Sequence, residues 1–119
     1  LDYPDFLIAS SEWFAFVPAK EYFDEPGDHA DELETSVMMH YHPELVNLDE
    51  AGDGNYKKFA SQMLNEKVAW IPRNWQKVSQ DTGIGNPKKA SAGKGKKYAE
   101  AVVAKYALLF EELVHKELY

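Results

Sequence analysis

The chain has 119 residues, of which 45% are hydrophobic and 28% charged, a balance typical of one compact globular domain. Its net charge is −7, and residues 1–54 hold fourteen of the twenty acidic groups but a single basic one, so this region would repel nucleic acid. No apolar run approaches the roughly 20 residues that cross a bilayer, and the absence of cysteine excludes disulfides and thiolate metal sites. We therefore expect a cytoplasmic protein without nucleic-acid or membrane partners.

Two apolar stretches near the N-terminus predict one or two buried strands. They are "FLIAS" at Phe6–Ser10 and "WFAFV" at Trp13–Val17, both rich in aromatic and branched side chains. Pro18 ends the second stretch because proline cannot donate to a strand ladder. A polar loop over residues 20–28 then leads to the next element.

A helix is predicted from about His29 to His40, with Asp28 as its N-cap and Pro43 beyond its end. At helical spacing Glu34 falls on the apolar face of this helix. A carboxylate in that position must be satisfied by a partner or used in chemistry. The apolar residues of that face are Ala30, Leu33, Val37, Met38 and Tyr41.

The middle of the chain gives weaker signals than its end. A short helix is predicted at Tyr56–Leu64, an extended or edge segment over residues 67–78, and an ordered glycine-rich loop over residues 79–95. From about Ser91 to Leu118, apolar residues recur at helical spacing and predict a long amphipathic packing helix. Strands followed by helices indicate an α/β layered unit, although a free sheet of one or two strands is marginal.

The first candidate for chemistry is the pair formed by His29 and Glu34. A histidine at a helix N-terminus lies near the positive end of the helix dipole, which favours the neutral imidazole that can accept a proton. A desolvated carboxylate nearby is typical of functional sites. The alternative is structural: a histidine that only caps the helix, and a glutamate bonded to neighbouring backbone.

Three other groups of residues offer weaker candidates. His40 and His42 form an H-x-H pair that could bind a metal if extended, although surface or packing roles beside Pro43 explain the pair better. The lysines between Lys88 and Lys97 could bind an anion, or could be a solvated helix entrance. The three tryptophans could line a pocket or pack in the core, and no P-loop, nucleophile elbow or zincin motif occurs. The tryptophans are Trp13, Trp70 and Trp75.

The stretch "DHADELETSVMMHYHPELV" resembles the creatininase (creatinine amidohydrolase) family, whose members carry D-x-H-A-G-E-x-E-T-S, an apolar helix and P-x-L-V. Downstream, "TGIGNPKKASAGKGKKYAEAVVAKYALLFEEL" resembles the closing segment of that family. Upstream, "IASSEWFAF" resembles the strand that carries an active-site tryptophan in creatininase, which places Trp13 at that position. The family glycine after H-A is Asp31 in this chain.

The resemblance implies a metal-dependent hydrolase of non-peptide C–N bonds, built on a three-layer α/β fold. This chain would supply the C-terminal portion, residues 1–119, with one to three strands plus packing helices. His29 would transfer a proton and Glu34 would be the inward acid supported by Thr35 and Ser36. Trp13 and Asp28 would bind substrate.

The resemblance also bears on metals and partners. Family members use divalent ions such as zinc or manganese, but the E-x-H, aspartate and N-G-H segments that ligate them do not occur here, so no metal ligand is predicted in this chain. The expected partners are a small-molecule amide, the N-terminal half of the same enzyme, and further copies in a homo-oligomer, a hexamer by resemblance. The chain alone would then be incomplete and inactive. The alternative is a non-catalytic fragment or interaction module that keeps the fold and lacks the metal site.

Overall fold

The computed structural model describes residues 7–117 and residue 119, and this part of the chain is mostly helix and loop. Its four α-helices are α1 (Glu32–Tyr41), α2 (Gln62–Asn65), α3 (Trp75–Val78) and α4 (Ala92–His115). Short 3-10 helices lie at Ala19–Glu21, Pro43–Leu45, Leu48–Glu50 and Pro87–Lys89. Over these residues no helix has the length and apolar character needed to cross a membrane.

The predicted N-terminal strands are wrong where the structure describes them. Phe6 lies outside the described residues, residues 7–12 have no regular structure, and Trp13–Val17 forms turns. The hydroxyl of Tyr98 in α4 lies 3.2 Å from the carbonyl oxygens of both Phe14 and Val17, and its one proton is shared between these two acceptors. A strand needs a neighbour to pair with, and none lies among the described residues, so α4 satisfies this backbone instead.

The pairing that does occur is one isolated antiparallel bridge between His29 and Ile84. The α/β prediction of one to three strands is therefore not met over residues 7–117 and 119. The bridge nevertheless brings the start of α1 to the loop before α4, which positions the candidate site.

Helix α1 begins three residues later than the sequence predicts. Its N-cap is Asp31 rather than Asp28, and the Asp31 side chain accepts the backbone N–H of Glu34 at 2.9 Å. Ala30 has a φ of 47°, a left-handed conformation that cannot belong to the helix. His29 therefore lies in the turn before α1 and not within its first turn.

The remaining helix predictions differ in detail. The predicted helix at Tyr56–Leu64 is wrong over most of its length, because residues 56–61 are not helical and α2 begins only at Gln62. The extended segment 67–78 ends in the single-turn α3. The long final helix is confirmed as α4, with Ser91 as its N-cap, and Leu118 lies outside the described residues. The predicted loop 79–95 contains the bridge, a 3-10 helix and the start of α4.

The hydrophobic core lies where α1 crosses the N-terminal half of α4. Tyr98 is fully buried, and its ring packs edge-on or tilted against Tyr22 and Phe23 at centroid distances of 5.4 and 5.2 Å. The helices approach closely at Gly95, where an added β-carbon would lie 1.9 Å from the carbonyl oxygen of Ser36. The buried core residues are Val17, Phe23, Leu33, Tyr98 and Val102.

Candidate functional site

The backbone around His29 is fixed by close chain contacts. The Ile84 carbonyl accepts the N–H of His29 at 3.1 Å, and the N–H of Ile84 donates to the His29 carbonyl at 2.8 Å. The chains meet at two glycines, because a β-carbon on Gly27 would lie 2.7 Å from the Cα of Gly85. Together with the left-handed Ala30, this turns His29 away from the axis of α1.

The structure brings His29 and Glu34 together. His29 Nδ1 lies 3.6 Å from Glu34 Oε2, within ion-pair distance but beyond a hydrogen bond. The same carboxylate oxygen accepts the N–H of Ala30 at 2.6 Å. Both side chains are partly exposed, at 44% for the imidazole and 35% for the carboxylate, so each can meet a ligand.

The expected apolar face around Glu34 needs correction. Leu33 is buried as predicted, but Met38 and Tyr41 are exposed and Ala30 lies outside the helix. The fully buried acid of α1 is Glu32, one position before Leu33. The difference arises because the buried side of α1 carries Glu32, Leu33 and Ser36, and at helical spacing Glu34 does not fall on that side.

Glu34 lines an open cavity of about 540 Å³ together with Trp13. Two of the predicted site residues therefore share one cavity, with His29 beside it through its contact with Glu34. The cavity has further acidic groups in Glu50 and Asp81. An indole face beside carboxylates suits a small planar ligand that carries polar N–H groups.

Asp28 lies elsewhere and has a partner that the sequence did not indicate. Its two carboxylate oxygens accept from the two terminal nitrogens of Arg73, at 2.6 and 2.7 Å. The hydrogen bond to Asp28 raises the pKa of Arg73 above its usual value. Arg73 also lies over the ring of Trp75 at 5.6 Å, and that ring packs against the imidazole of His29 at a centroid distance of 4.9 Å.

A second group of charges, also missed from the sequence, joins α1 to α4. Glu32 accepts from Lys94 Nζ at 2.5 Å and from the backbone N–H of Glu25 at 2.6 Å. The same ammonium donates to Asp24 at 2.7 Å, and this bond lowers the pKa of Asp24 while Asp24 and Glu32 raise that of Lys94. These hydrogen bonds within the chain therefore satisfy the buried carboxylate of Glu32.

These contacts weaken the anion-binding alternative for the lysine cluster. Lys94 is held by Asp24 and Glu32, and Lys89 lies 2.8 Å from Glu25, an ion pair that raises the pKa of Lys89. Two of the five lysines between Lys88 and Lys97 are therefore paired with acidic groups of the chain itself, which makes them less available to an external phosphate.

The residues implied to support Glu34 make other bonds. Ser36 is fully buried, and its hydroxyl accepts the N–H of Ser91 at 3.1 Å, which joins α1 to the start of α4. The hydroxyl of Thr35 donates to the Ala30 carbonyl at 3.4 Å, a weak contact. Ser36 thus acts on helix packing rather than on the carboxylate.

A metal cage does not fit the residues that the structure describes. Over residues 7–117 and 119, no three histidine or acidic side chains are gathered so that they could hold an ion. His42 contacts Glu44 at 3.3 Å and His40 packs on the ring of Tyr41, so the H-x-H pair does not converge.

Comparisons with known proteins agree on one family. The family model described as "Creatininase: Creatinine amidohydrolase" matches residues 5–110. A crystal structure from Bacteroides fragilis NCTC 9343, of a protein provisionally named a creatinine amidohydrolase, is 60% identical with a TM-score of 0.90. The match covers 99% of this chain and 47% of that one, so the chain spans about half the length of its structural relative. A search of curated proteins gave no match. With a family model that spans most of its length, the chain belongs to the creatininase family.

Proposed function

We propose that this chain is the C-terminal portion of a three-layer α/β domain that hydrolyses a C–N bond in a small amide or cyclic amide. The observation that carries the proposal is the placement of His29 against Glu34, beside the cavity that Trp13 lines. Family membership supports amide hydrolysis as the reaction class. The geometry supports the role of these particular residues.

In the proposed reaction His29 moves the proton. Its Nδ1 faces the carboxylate of Glu34, which favours the tautomer that carries a proton on Nδ1 and leaves Nε2 as the acceptor. Nε2 would take a proton from the attacking water and return it to the leaving nitrogen, so that the amine departs neutral. Glu34 would stabilise the imidazolium that forms between these two transfers.

Substrate binding is assigned to Trp13 and Asp28. The indole of Trp13 would stack on a planar amide in the cavity that it shares with Glu34. Asp28 adjoins His29 in the chain, but both of its oxygens are engaged by Arg73, so a substrate would have to share those oxygens. Its substrate role stays a prediction.

The proposed enzyme uses a divalent metal ion, zinc or manganese by the resemblance described above, and family membership supports metal dependence without naming the metal. Such an ion would polarise the amide and activate water. Its ligands would come from outside the described residues, since these gather no suitable set. The alternative function, a non-catalytic module that keeps the fold and lacks the metal site, stays a prediction.

The test is hydrolysis of a panel of cyclic and open-chain amides by the protein that contains this chain. His29→Gln should lower kcat by about 10²- to 10⁴-fold, the usual contribution of a general acid–base group. His42→Gln is a matched control, because His42 also lies beside a carboxylate but is exposed and is not among the residues that line the cavity. Equal activity of both variants, or no hydrolysis by the parent protein, would support the non-catalytic alternative.

The proposed partner within the same enzyme is the rest of the domain, and α4 offers a surface for it. The face that carries the buried Tyr98 and Val102 continues toward the C-terminus of α4 beyond the region that α1 covers. There its side chains are exposed, including Phe110 at 62% and Val114 at 75%. The continuing face is formed by Tyr106, Leu109, Phe110, Leu113 and Val114.

The occupant that we propose for this face is the remaining half of the creatininase-type domain, since about half of the structural relative lies outside the match. A continuous apolar stripe is typical of a helix whose whole length is buried in a layer. In the full protein, Phe110→Glu should accelerate hydrogen exchange in the last three turns of α4. Ala104→Glu, on the opposite face, should not. Equal exchange in both variants would contradict the assignment.

Assembly into a homo-oligomer, a hexamer by resemblance, is part of the same proposal. Sedimentation of the full protein tests it, and a monomer at micromolar concentration would refute it.

A further inference from the structure

We infer that Arg73 and Trp75 are positioning residues that hold the imidazole of His29 in one orientation toward Glu34. The inference rests on the proposed role of His29 as the proton-transferring group. It adds a segment, residues 73–78, that lies more than forty positions away in the chain and that no motif of the site contains.

The segment is anchored at the residue next to His29. Arg73 grips both oxygens of Asp28 in a two-pronged ion pair, at 2.6 and 2.7 Å. Such forked pairs fix direction as well as distance, because the guanidinium and carboxylate planes must match. The backbone of Asp28 is itself fixed, since its N–H donates to the Ile84 carbonyl at 2.8 Å. The end of the segment is therefore tied to a rigid point.

From that anchor the segment reaches the imidazole itself. The ring of Trp75 lies 4.9 Å from the ring of His29, tilted by 47°. Arg73 lies on the same indole at 5.6 Å, within the range of a cation–π contact. Asp28 thus contacts Arg73, Arg73 contacts Trp75, and Trp75 contacts His29. These contacts form a closed ring because Asp28 and His29 are neighbours in the chain.

This arrangement supplies what the His29–Glu34 contact lacks. At 3.6 Å and with both groups partly exposed, that contact alone does not hold the ring in one rotamer. An indole against one side of the ring removes some of the rotamers that an exposed histidine would otherwise sample. Keeping Nδ1 toward Glu34 leaves Nε2 in a constant direction for proton transfer.

The charges around the imidazole are consistent with this role. Glu34 is the anion that faces it, while the positive charge of Arg73 is neutralised by Asp28. The guanidinium of Arg73, which lies on the Trp75 ring, therefore does not oppose formation of the imidazolium of His29.

The first test is the contact itself, read by NMR from the ring protons of His29 in the full protein. The Trp75 ring current should displace these resonances, and assignment follows from their loss in His29→Gln. Trp75→Ala should move them to positions typical of an unstacked histidine, and Trp75→Phe should retain part of the displacement. The control is Trp70→Ala, because Trp70 is 83% exposed in the same part of the chain and should leave them unchanged. Unchanged resonances in Trp75→Ala would overturn the inference.

The second test is the division of the kinetic effect. Misplacing a catalytic group by about 1 Å can cost on the order of 100-fold, so Trp75→Ala should lower kcat by roughly 10- to 100-fold with little change in KM. Arg73→Gln should lower kcat to a similar extent, and Trp75→Phe should recover most of the rate. A change in KM alone, or no change, would overturn the positioning role.

The catalytic role of His29 and the positioning role of Trp75 can be refuted separately. If His29→Gln keeps full activity, the proposed function fails, while the resonance displacement still reports whether Trp75 holds the ring. If His29→Gln is inactive and Trp75→Ala keeps both its rate and its resonance positions, only the positioning inference fails.

Discussion

The crossing of α1 and α4 at Gly95 gives the sharpest prediction about the fold. Gly95 is buried against the backbone of Ser36, and replacing it with alanine adds one methyl group at the point of closest approach. That β-carbon would stand 1.9 Å from the Ser36 carbonyl oxygen, about 1.5 Å inside the 3.4 Å at which ordinary contact begins. Because the obstacle is backbone, no side-chain rotation can relieve it, and the helices must separate.

The energetic consequence has two opposing parts. Overpacking a core costs roughly 1–3 kcal/mol, and a clash with backbone belongs toward the upper end. Alanine in a helix is favoured over glycine by about 1 kcal/mol. We therefore expect Gly95→Ala to lower the free energy of unfolding by about 2 kcal/mol.

Gly93 provides the matched control, because it is two positions earlier in α4 and has no atom within 4 Å of an added β-carbon. Gly93→Ala should therefore keep the helix-propensity gain, at most about 1 kcal/mol. Urea denaturation of the two variants in the full protein measures the difference. Equal stability of Gly93→Ala and Gly95→Ala would refute the helix crossing described above.

Three further predictions concern hydrogen bonds and ion pairs around α1. Asp31→Ala should lower the free energy of unfolding by about 1–2 kcal/mol, because it removes the N-cap, and a loss below ~0.5 kcal/mol in urea denaturation would contradict that role. Ser36→Ala should cost roughly 1–3 kcal/mol by leaving the partly buried N–H of Ser91 without its acceptor, and the same assay should find it less stable than the parent. Stability should also fall in acid and in strong alkali. The pKa of Asp24 is lowered in the folded protein, so its contribution to stability is present above pH 3.8 and is lost as the pH falls through the pKa of the folded state. The pKa of Lys94 is raised in the folded protein, so its contribution to stability is complete below pH 10.5 and is lost as the pH rises through the pKa of the folded state. If Asp24→Asn leaves the acid loss unchanged, another group causes it.

The long helix α4 was predictable because its signal is local. Apolar residues recur at helical spacing from Ala99 to Leu113, and Ser91 supplies an N-cap, so neighbouring residues alone specify the element. The predicted strands failed for the opposite reason. Aromatic and branched residues such as those at Trp13–Val17 fit a strand only when another strand pairs with them, and here Tyr98 satisfies their backbone instead.

The start of α1 was misplaced because tertiary contacts override the local cap. Asp28 and Asp31 are both acceptable N-cap residues, but the bridge to Ile84 holds residue 29 extended and forces Ala30 into a left-handed conformation. The buried acid was misassigned by two positions for a related reason. Helical spacing predicts an apolar face, but which edge is covered depends on where α4 crosses.

The candidate site was predictable in its centre and not at its periphery. The motif around His29 and Glu34 indicated their proximity, and the structure places the two side chains 3.6 Å apart. Arg73 and Trp75 carry no local pattern that links them to His29. Their contacts arise from a loop that folds back over the site, which spacing in the sequence does not encode.

The central claim is that the imidazole of His29 transfers a proton during C–N bond hydrolysis. Chemical rescue tests it most directly: His29→Ala in the full protein leaves a space, and free imidazole in solution can occupy it. The account predicts a fall in kcat of about 10²- to 10⁴-fold and a partial recovery that rises with the concentration of imidazole. An unchanged rate in His29→Ala, or a lost rate that imidazole does not restore while the variant remains folded, would contradict it.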